Sequence, residues 1–382
     1  MNQIFHFLSH KLENRRFLIV SLVGLIAWLM LMSTPRFNLF RSKSEVWDVV
    51  FLKMKDPTNN LSHIHPADFK AKKVFRLTGP LLMRVFQANS VGIIAIQFIF
   101  NIGLWILSYL LLERVLKDKV AAYLFSIALS FTYFGRAGFF DLYYAWFDIF
   151  AFFGILLAMY SRHWLVVFGA CLFSAWTDER GFIGLGIVFV YSYWANIDFD
   201  NPKYFKLNPK TMVVLAAMIA YLGVRKYLEV TYGMKTPNEG AALGMLKRTY
   251  PLLPLGIFTF MEGFWIPVVL AFFLAFLKKH YLWIISVFIC LFVFTLVAGS
   301  VTDITRSGAY ALPVAIISIA YLLKYSSKTN LRLVALFTMC ICMLFPMLML
   351  CPDIELKYSV MYPGIDQIPI PTKLQYYLDR IQ

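Results

Sequence analysis

Long blocks of Leu, Ile, Val and Phe, separated by short polar stretches, organise this chain from residue 17 onward. The blocks approach the roughly 17–25 residues that a membrane-spanning helix needs. They lack the roughly ten-residue alternating segments of a transmembrane β-barrel. The pattern predicts an all-α polytopic membrane protein with about eleven transmembrane helices. The expected spans are Phe17–Ser33, Val91–Leu112, Val120–Phe134, Ala145–Tyr160, Trp164–Trp176, Phe182–Trp194, Met212–Leu228, Leu252–Phe276, Leu282–Gly299, Ala309–Leu323 and Leu333–Cys351. Several are short, and the two flanking Thr177–Arg180 read as tilted or re-entrant. The chain, 1–382, reads as a single membrane domain with a long outward-facing first loop, 34–90, and an outward-facing tail, 352–382.

Composition agrees with this pattern. Only 15% of the 382 residues are charged and 60% are hydrophobic, whereas a soluble domain carries about a quarter charged residues. The net charge of +15 resides in loops and at helix ends, so anionic lipid and membrane topology account for it without nucleic acid. Arg15-Arg16 precede the first span and put the N-terminus in the cytoplasm, with that span a retained signal anchor. The cytoplasmic connections are then Glu113–Lys119, Ser161–His163, the Lys203/Lys206/Lys210 loop, Lys278-Lys279 and Lys324–Arg332, all with Lys or Arg. On this topology only Glu13, Glu113, Asp118, Asp198 and Asp200, of 21 acids, lie inside. Four cysteines sit within apolar runs, Cys351 ends one, and no CxxC pair occurs; neither zinc nor a disulfide framework is indicated.

Three charged clusters are expected on the outward face: Trp47-Asp48, Thr177-Asp178-Glu179-Arg180 and Thr302-Asp303-Ile304-Thr305-Arg306. Ionisable groups wedged against membrane segments are costly, and they default to a functional reading. Asp48, with Glu45 as its rival, is a candidate general base; the plainer reading is a surface acid balancing Arg41 and Lys43. Residues 41–56 suit a short helix on the membrane surface. Residues 68–86 place Phe69, Val74, Leu77, Leu81 and Val85 on one helical face, and Gly79-Pro80 should kink or restart that helix. Lys70, Lys73, Arg76 and Arg84 around it form either a snorkelling rim or a cationic cradle for phosphate, with Arg76 its best bidentate donor. His63 and His65 are a weak H-x-H metal signal.

Thr177 is a natural N-cap, with Asp178 and Glu179 favoured in a first helical turn. Capping leaves Arg180 without a role, so an acidic or phosphate partner is expected for it. Asp303 and Arg306, three apart, either pair on one helical turn or hold a phosphate together. Asp141, Tyr143, Tyr144, Trp146 and Asp148 form an acid-aromatic rim of the kind that binds sugars, though interfacial Tyr and Trp are ordinary. Glu262 lies within the eighth span and could line a cavity.

A cytoplasmic N-terminus, one span, a long outward loop with an early acid and then many spans resemble the GT-C superfamily of integral membrane glycosyltransferases. The resemblance covers the layout of the chain. Its specific residues are Trp47-Asp48-Val49-Val50-Phe51, Phe75-Arg76-Leu77-Thr78-Gly79-Pro80 and the later Asp/Arg boundary motifs. It implies a polyprenyl-phosphate-linked sugar donor, a glycan or lipid acceptor, and Asp48 as base. It also implies substrate contacts from Arg76, Asp141, Asp148, Asp178, Glu179, Arg180, Asp303 and Arg306. The setting implied is the bacterial inner membrane, with the active face periplasmic. No nucleotide-binding site is needed, no cofactor is singled out, and a divalent metal stays open. The competing functions are an O-antigen-type polymerase or ligase and a lipid-linked glycan flippase.

Overall fold

The structure is a computed structural model, and it describes residues 2–37, 45–66, 68–140, 144–195, 197, 208–237, 243–301, 303–345, 348–351 and 354–358. The architecture is a bundle of α-helices. Helices α1 (Asn2–Leu12) and α2 (Arg15–Phe37) lead into the first loop, which carries α3 (Glu45–Lys55) and α4 (Thr78–Phe86). Then follow α5 (Ser90–Leu116), α6 (Lys119–Ser130), α7 (Tyr133–Phe140), α8 (Asp148–Tyr160), α9 (Trp164–Ala175), α10 (Glu179–Trp194) and α11 (Pro209–Tyr232). The last third comprises α12 (Leu243–Thr249), α13 (Leu253–Met261), α14 (Trp265–Leu277), α15 (Tyr281–Gly299), α16 (Ile304–Gly308), α17 (Pro313–Leu323) and α18 (Lys328–Leu344). Among the described residues the only strands form a short antiparallel hairpin, β1 (Leu348–Cys351) and β2 (Ile354–Tyr358). The tail beyond Tyr358 lies outside the described residues.

Five helical units are long and apolar enough to cross a membrane: Ser90–Leu116, Pro209–Tyr232, Tyr250–Leu277, Tyr281–Gly299 and Ile304–Leu323. The pair α6–α7 becomes a sixth if its 57° bend is read as one broken span. The expected count of about eleven is therefore larger than length and composition support. The short runs explain the gap. Helices α8 and α9 have 13 and 12 residues, about 20 and 18 Å at 1.5 Å per residue, against a hydrocarbon core of about 30 Å. The last expected span also stops early, because α18 ends at Leu344.

Local chemistry sets these boundaries. Asn89, Asp118, Asp178, Asn208 and Ser327 each accept a hydrogen bond from a backbone N–H in the first turn of the helix they precede, satisfying donors with no intrahelical partner. At the α6–α7 bend the Ile127 and Leu129 carbonyls, at the end of α6, accept from the Ser130 and Thr132 hydroxyls at 2.6 and 2.7 Å. The nearby Gly135 carbonyl accepts from Asn101 Nδ2 at 2.9 Å and Trp105 Nε1 at 2.7 Å, both on α5. In lipid such groups must be satisfied by neighbouring protein. Helices α8, α9, α10 and α11 pack in sequence, so the start of α8 and the α9–α10 turn lie at the same end.

The first loop folds onto that end as a plug. Val49, Leu61, Val74, Phe75 and Leu77 form a small second core with Met234, and Trp176 and Leu228 pack against it. The amides of Leu77 and Thr78 donate to the Trp176 carbonyl at 2.8 and 3.2 Å. Two expectations change here. The apolar side of α3, with Val46, Trp47, Val49 and Val50 buried, packs on protein rather than on a membrane surface. Residues 68–86 are not one continuous helix: a 3₁₀ turn spans Ala71–Lys73, and, in keeping with the restart expected at Gly79-Pro80, α4 starts at Thr78 with that pair in its first turn. Val74 and Leu77 are buried, while Phe69, Leu81 and Val85 are exposed. Gly79 is demanded by contact, since a Cβ there would lie 2.4 Å from the Phe147 ring.

Candidate functional site

The N-cap of α10 is the centre of the site. Asp178, not Thr177, takes the capping position, accepting from the Arg180 amide at 3.0 Å. Thr177 instead turns its hydroxyl back to the Phe173 carbonyl at 2.8 Å. An aspartate at this position gains from the helix dipole as well as from the hydrogen bond. The Asp178 carboxylate also receives a two-pronged bond from Arg180, Nε to Oδ1 and Nη2 to Oδ2, both 2.7 Å. Arg76, from the first loop, places Nη2 3.0 Å from Oδ2, and Arg306 Nη2 lies 3.5 Å from the same oxygen. Asp178 is 1% exposed. Burial alone would raise its pKa, but Arg180 and Arg76 beside it hold the carboxyl well below the usual range.

A second carboxylate, Asp148 at the start of α8, sits against the first. Arg306 grips it through Nε and Nη2. The hydroxyls of Tyr310 and Tyr133 donate to it at 2.7 and 2.9 Å. Arg180 joins the two halves: Nη2 lies 3.9 Å from Asp148 Oδ1, and Nη1 donates to Ser307 Oγ at 2.7 Å. Arg306 completes its set with Asp303 at 3.1 Å and stacks 3.8 Å over the Trp146 ring. Both arginines are therefore supplied with partners by the protein itself, which is how buried charges are kept.

The accessible edge is Arg76, Glu179 and Arg225. Arg76 Nε lies 3.8 Å from Glu179 Oε2, and Arg225 Nη1 lies 3.9 Å from Glu179 Oε1. Arg225 is held by the Tyr221 hydroxyl at 2.8 Å, Thr236 Oγ1 at 2.9 Å and the Phe75 ring at 4.2 Å.

The sequence-derived candidates thus fall into groups. Arg76, Asp148, Asp178, Glu179, Arg180, Asp303 and Arg306 form one network. Asp48 is exposed and outside those ion pairs. Its neighbour Trp47 packs edge-on against Phe147 at 6.0 Å, which sets α3 at the same end as Asp148. Asp141 lies outside the described residues. Lys73 does not join a phosphate cradle: it is buried and donates to the Tyr144 carbonyl. Glu262 is buried in a 3₁₀ turn that interrupts the Tyr250–Leu277 unit. His63 and His65 are exposed, and among the described residues no three His, Cys, Asp or Glu side chains cluster as metal ligands. Arg225, Tyr133, Tyr310 and Ser307 were not foreseen. A Tyr221/Arg225 pair at i,i+4 was the one local signal.

No family model, curated protein or solved structure matches this chain.

Proposed function

We propose that the chain is a GT-C-like membrane glycosyltransferase, moving a sugar from a polyprenyl-phosphate-linked donor to a glycan or lipid acceptor. In this reading about eleven apolar runs lie in a bacterial plasma membrane, the shorter ones re-entrant or matched by local thinning of the bilayer. The network end then faces the periplasm. The observation that carries the reading is the convergence of Asp148, Asp178, Arg180 and Arg306 from three chain segments, with Arg76 brought to them by the first loop.

Asp48, exposed on α3 at this end, takes the proton of the acceptor hydroxyl. The acceptor oxygen bonds to the anomeric carbon as the bond to the phosphate oxygen breaks, with inversion. The negative charge left on the phosphate is met by Arg76. Arg180 and Arg306, already engaged by Asp178 and Asp148, act as positioning residues that fix the frame. The exposed Tyr144 ring, backed by the buried Trp146 ring stacked 4.7 Å from it, offers a flat apolar face to a sugar.

The test is transfer by the purified full chain in liposomes, offered a panel of polyprenyl-phosphate sugars, with Asp48→Asn alongside. Product from the wild type and at least about a hundredfold less from the variant is expected. Full transfer by Asp48→Asn removes that residue as base. Movement of lipid-linked glycan across the bilayer with no product from either protein replaces the enzyme with a carrier.

A further inference from the structure

Glu179 is the network member that the fold satisfies least. Its two nearest guanidinium contacts, 3.8 and 3.9 Å, exceed hydrogen-bond length. Glu179 Oε1 and Arg76 Nε are both shielded from solvent, and neither has a hydrogen-bond partner among the described residues. The guanidiniums on either side do not depend on it. Arg76 is fixed by Asp178, and Arg225 by Tyr221, Thr236 and Phe75. The side chains of Arg76, Arg225 and Glu179 are 17%, 24% and 29% exposed, against 1% for Asp178 and 3% for Arg306. This edge can exchange partners; the centre cannot.

Charge balance points the same way. Four arginines (Arg76, Arg180, Arg225, Arg306) face four carboxylates (Asp148, Asp178, Glu179, Asp303). If Glu179 swings out, one positive charge is left over, located on the two arginines that flank it. Two forked guanidiniums are the side-chain arrangement best suited to a phosphate group.

We propose that Arg76 and Arg225 form an anion subsite for a phosphate mono- or diester, held at rest by the Glu179 carboxylate and opened when the phosphate displaces it. The subsite rests on the glycosyltransferase reading for the identity of its ligand, and not for its existence. Because Arg76 belongs to the first loop and Arg225 to α11, an occupied subsite ties the plug to the bundle.

The sign of one substitution tests this. Calorimetric titration of the detergent-solubilised full chain with inorganic phosphate and with dodecyl phosphate compares wild type, Glu179→Gln and Arg225→Ala. Removing the competing carboxylate should tighten binding roughly tenfold, and Arg225→Ala should weaken it by at least about as much, the equivalent of about 1.4 kcal/mol each. Glu179→Asp, which keeps the charge, serves if the glutamine variant fails to fold; its shorter reach should give intermediate tightening. Equal or weaker binding by Glu179→Gln, or unchanged binding by Arg225→Ala, overturns the subsite. Dodecyl phosphate following the same rank order assigns the site to a lipid-borne phosphate, and inorganic phosphate alone doing so assigns it to a soluble one. Both support the subsite. The rank order holding without any sugar transfer in liposomes sinks only the transferase reading; transfer without the rank order sinks only the subsite.

Discussion

The two ends of the helix bundle hold their cations differently: those that grip carboxylates at the site end, Arg180 and Arg306, are buried, whereas at the other end Arg114 and Lys324 are exposed and Lys210 and Arg332 half-buried. At the end carrying Lys117, Arg162 and Lys328, four cations each serve a neighbouring backbone carbonyl or a single acid. Arg114 donates to the Tyr160 carbonyl, Lys210 to Met159, Lys324 to Ile197, and Arg332 pairs with Asp118. Most of these close the last carbonyls of a helix or turn, where a positive group is favoured by the dipole. At the opposite end the arginines grip carboxylates, share them, and are further braced by Tyr133, Tyr310 and Ser307. The first arrangement is modular and loses one bond per substitution. The second is cooperative, because removing one member strands several others in low dielectric.

The largest effect should therefore come from Asp148→Asn. It leaves Arg306 buried at 3% exposure without its principal counter-charge, and such losses cost about 3–5 kcal/mol. The unfolding midpoint in detergent should fall steeply, and yield with it. A midpoint near wild type would mean that the network carries its charges independently and that the two ends do not differ in kind.

The steric tightness of the site end gives the second test, within one helix. A Cβ at Gly181 would lie 2.3 Å from the Ser174 carbonyl oxygen, whereas nothing lies within 4 Å of one at Gly186. Gly181→Ala should cost about 1–3 kcal/mol. Gly186→Ala should be neutral or stabilising by up to about 1 kcal/mol, since alanine loses less entropy in a helix. Equal responses would show that the α9–α10 turn has room to relax.

These contrasts also mark what the sequence made legible. Arg180 and Arg306 stood out because an arginine against an apolar run needs a partner, and Asp178 and Asp303 were visible beside them. The pairing of Arg306 with Asp148, 158 residues away, follows from how α8 and α16 are packed and has no local signature. The same holds for Tyr133 and Tyr310, which read as core aromatics until their hydroxyls are placed. Helix type was readable from periodicity. Span number was not, because hydropathy counts apolar runs without seeing that α8 and α9 are too short or that α18 ends at Leu344. In the first loop, the apolar pattern of α3 could not say whether lipid or protein would cover it; the residues around Trp176 and Met234 decide that.

Acid stability offers a third, smaller measure. The native pKa of Asp178 lies below its unfolded value near 3.9. Its contribution is therefore complete above about pH 5 and declines as pH falls through the unfolded value toward the native one. One such group bends the stability curve by at most about 1.4 kcal/mol per pH unit. Asp178→Asn should start from a lower midpoint and show a flatter acid limb between about pH 5 and 3. An unchanged slope would assign the acid sensitivity to other carboxylates.

The smallest effect belongs to the opposite end and is the one that fixes the scale of the comparison. Lys210 Nζ donates to the Met159 carbonyl at 2.6 Å, in the last turn of α8. Lys210→Met keeps the aliphatic stem that packs along the helix and removes only the charge and the donor. A cation at a helix C-terminus is worth about 0.3–1 kcal/mol, and α8 keeps the rest of its packing. The detergent midpoint should move by little, and combining Lys210→Met with Asp148→Asn should give the sum of the separate effects, because the two sites lie at opposite ends of α8 and share no partner. If Lys210→Met costs as much as Asp148→Asn, or if the pair departs from additivity by more than about 0.5 kcal/mol, the ends are coupled through α8. The network would then be a property of the whole bundle rather than of its site.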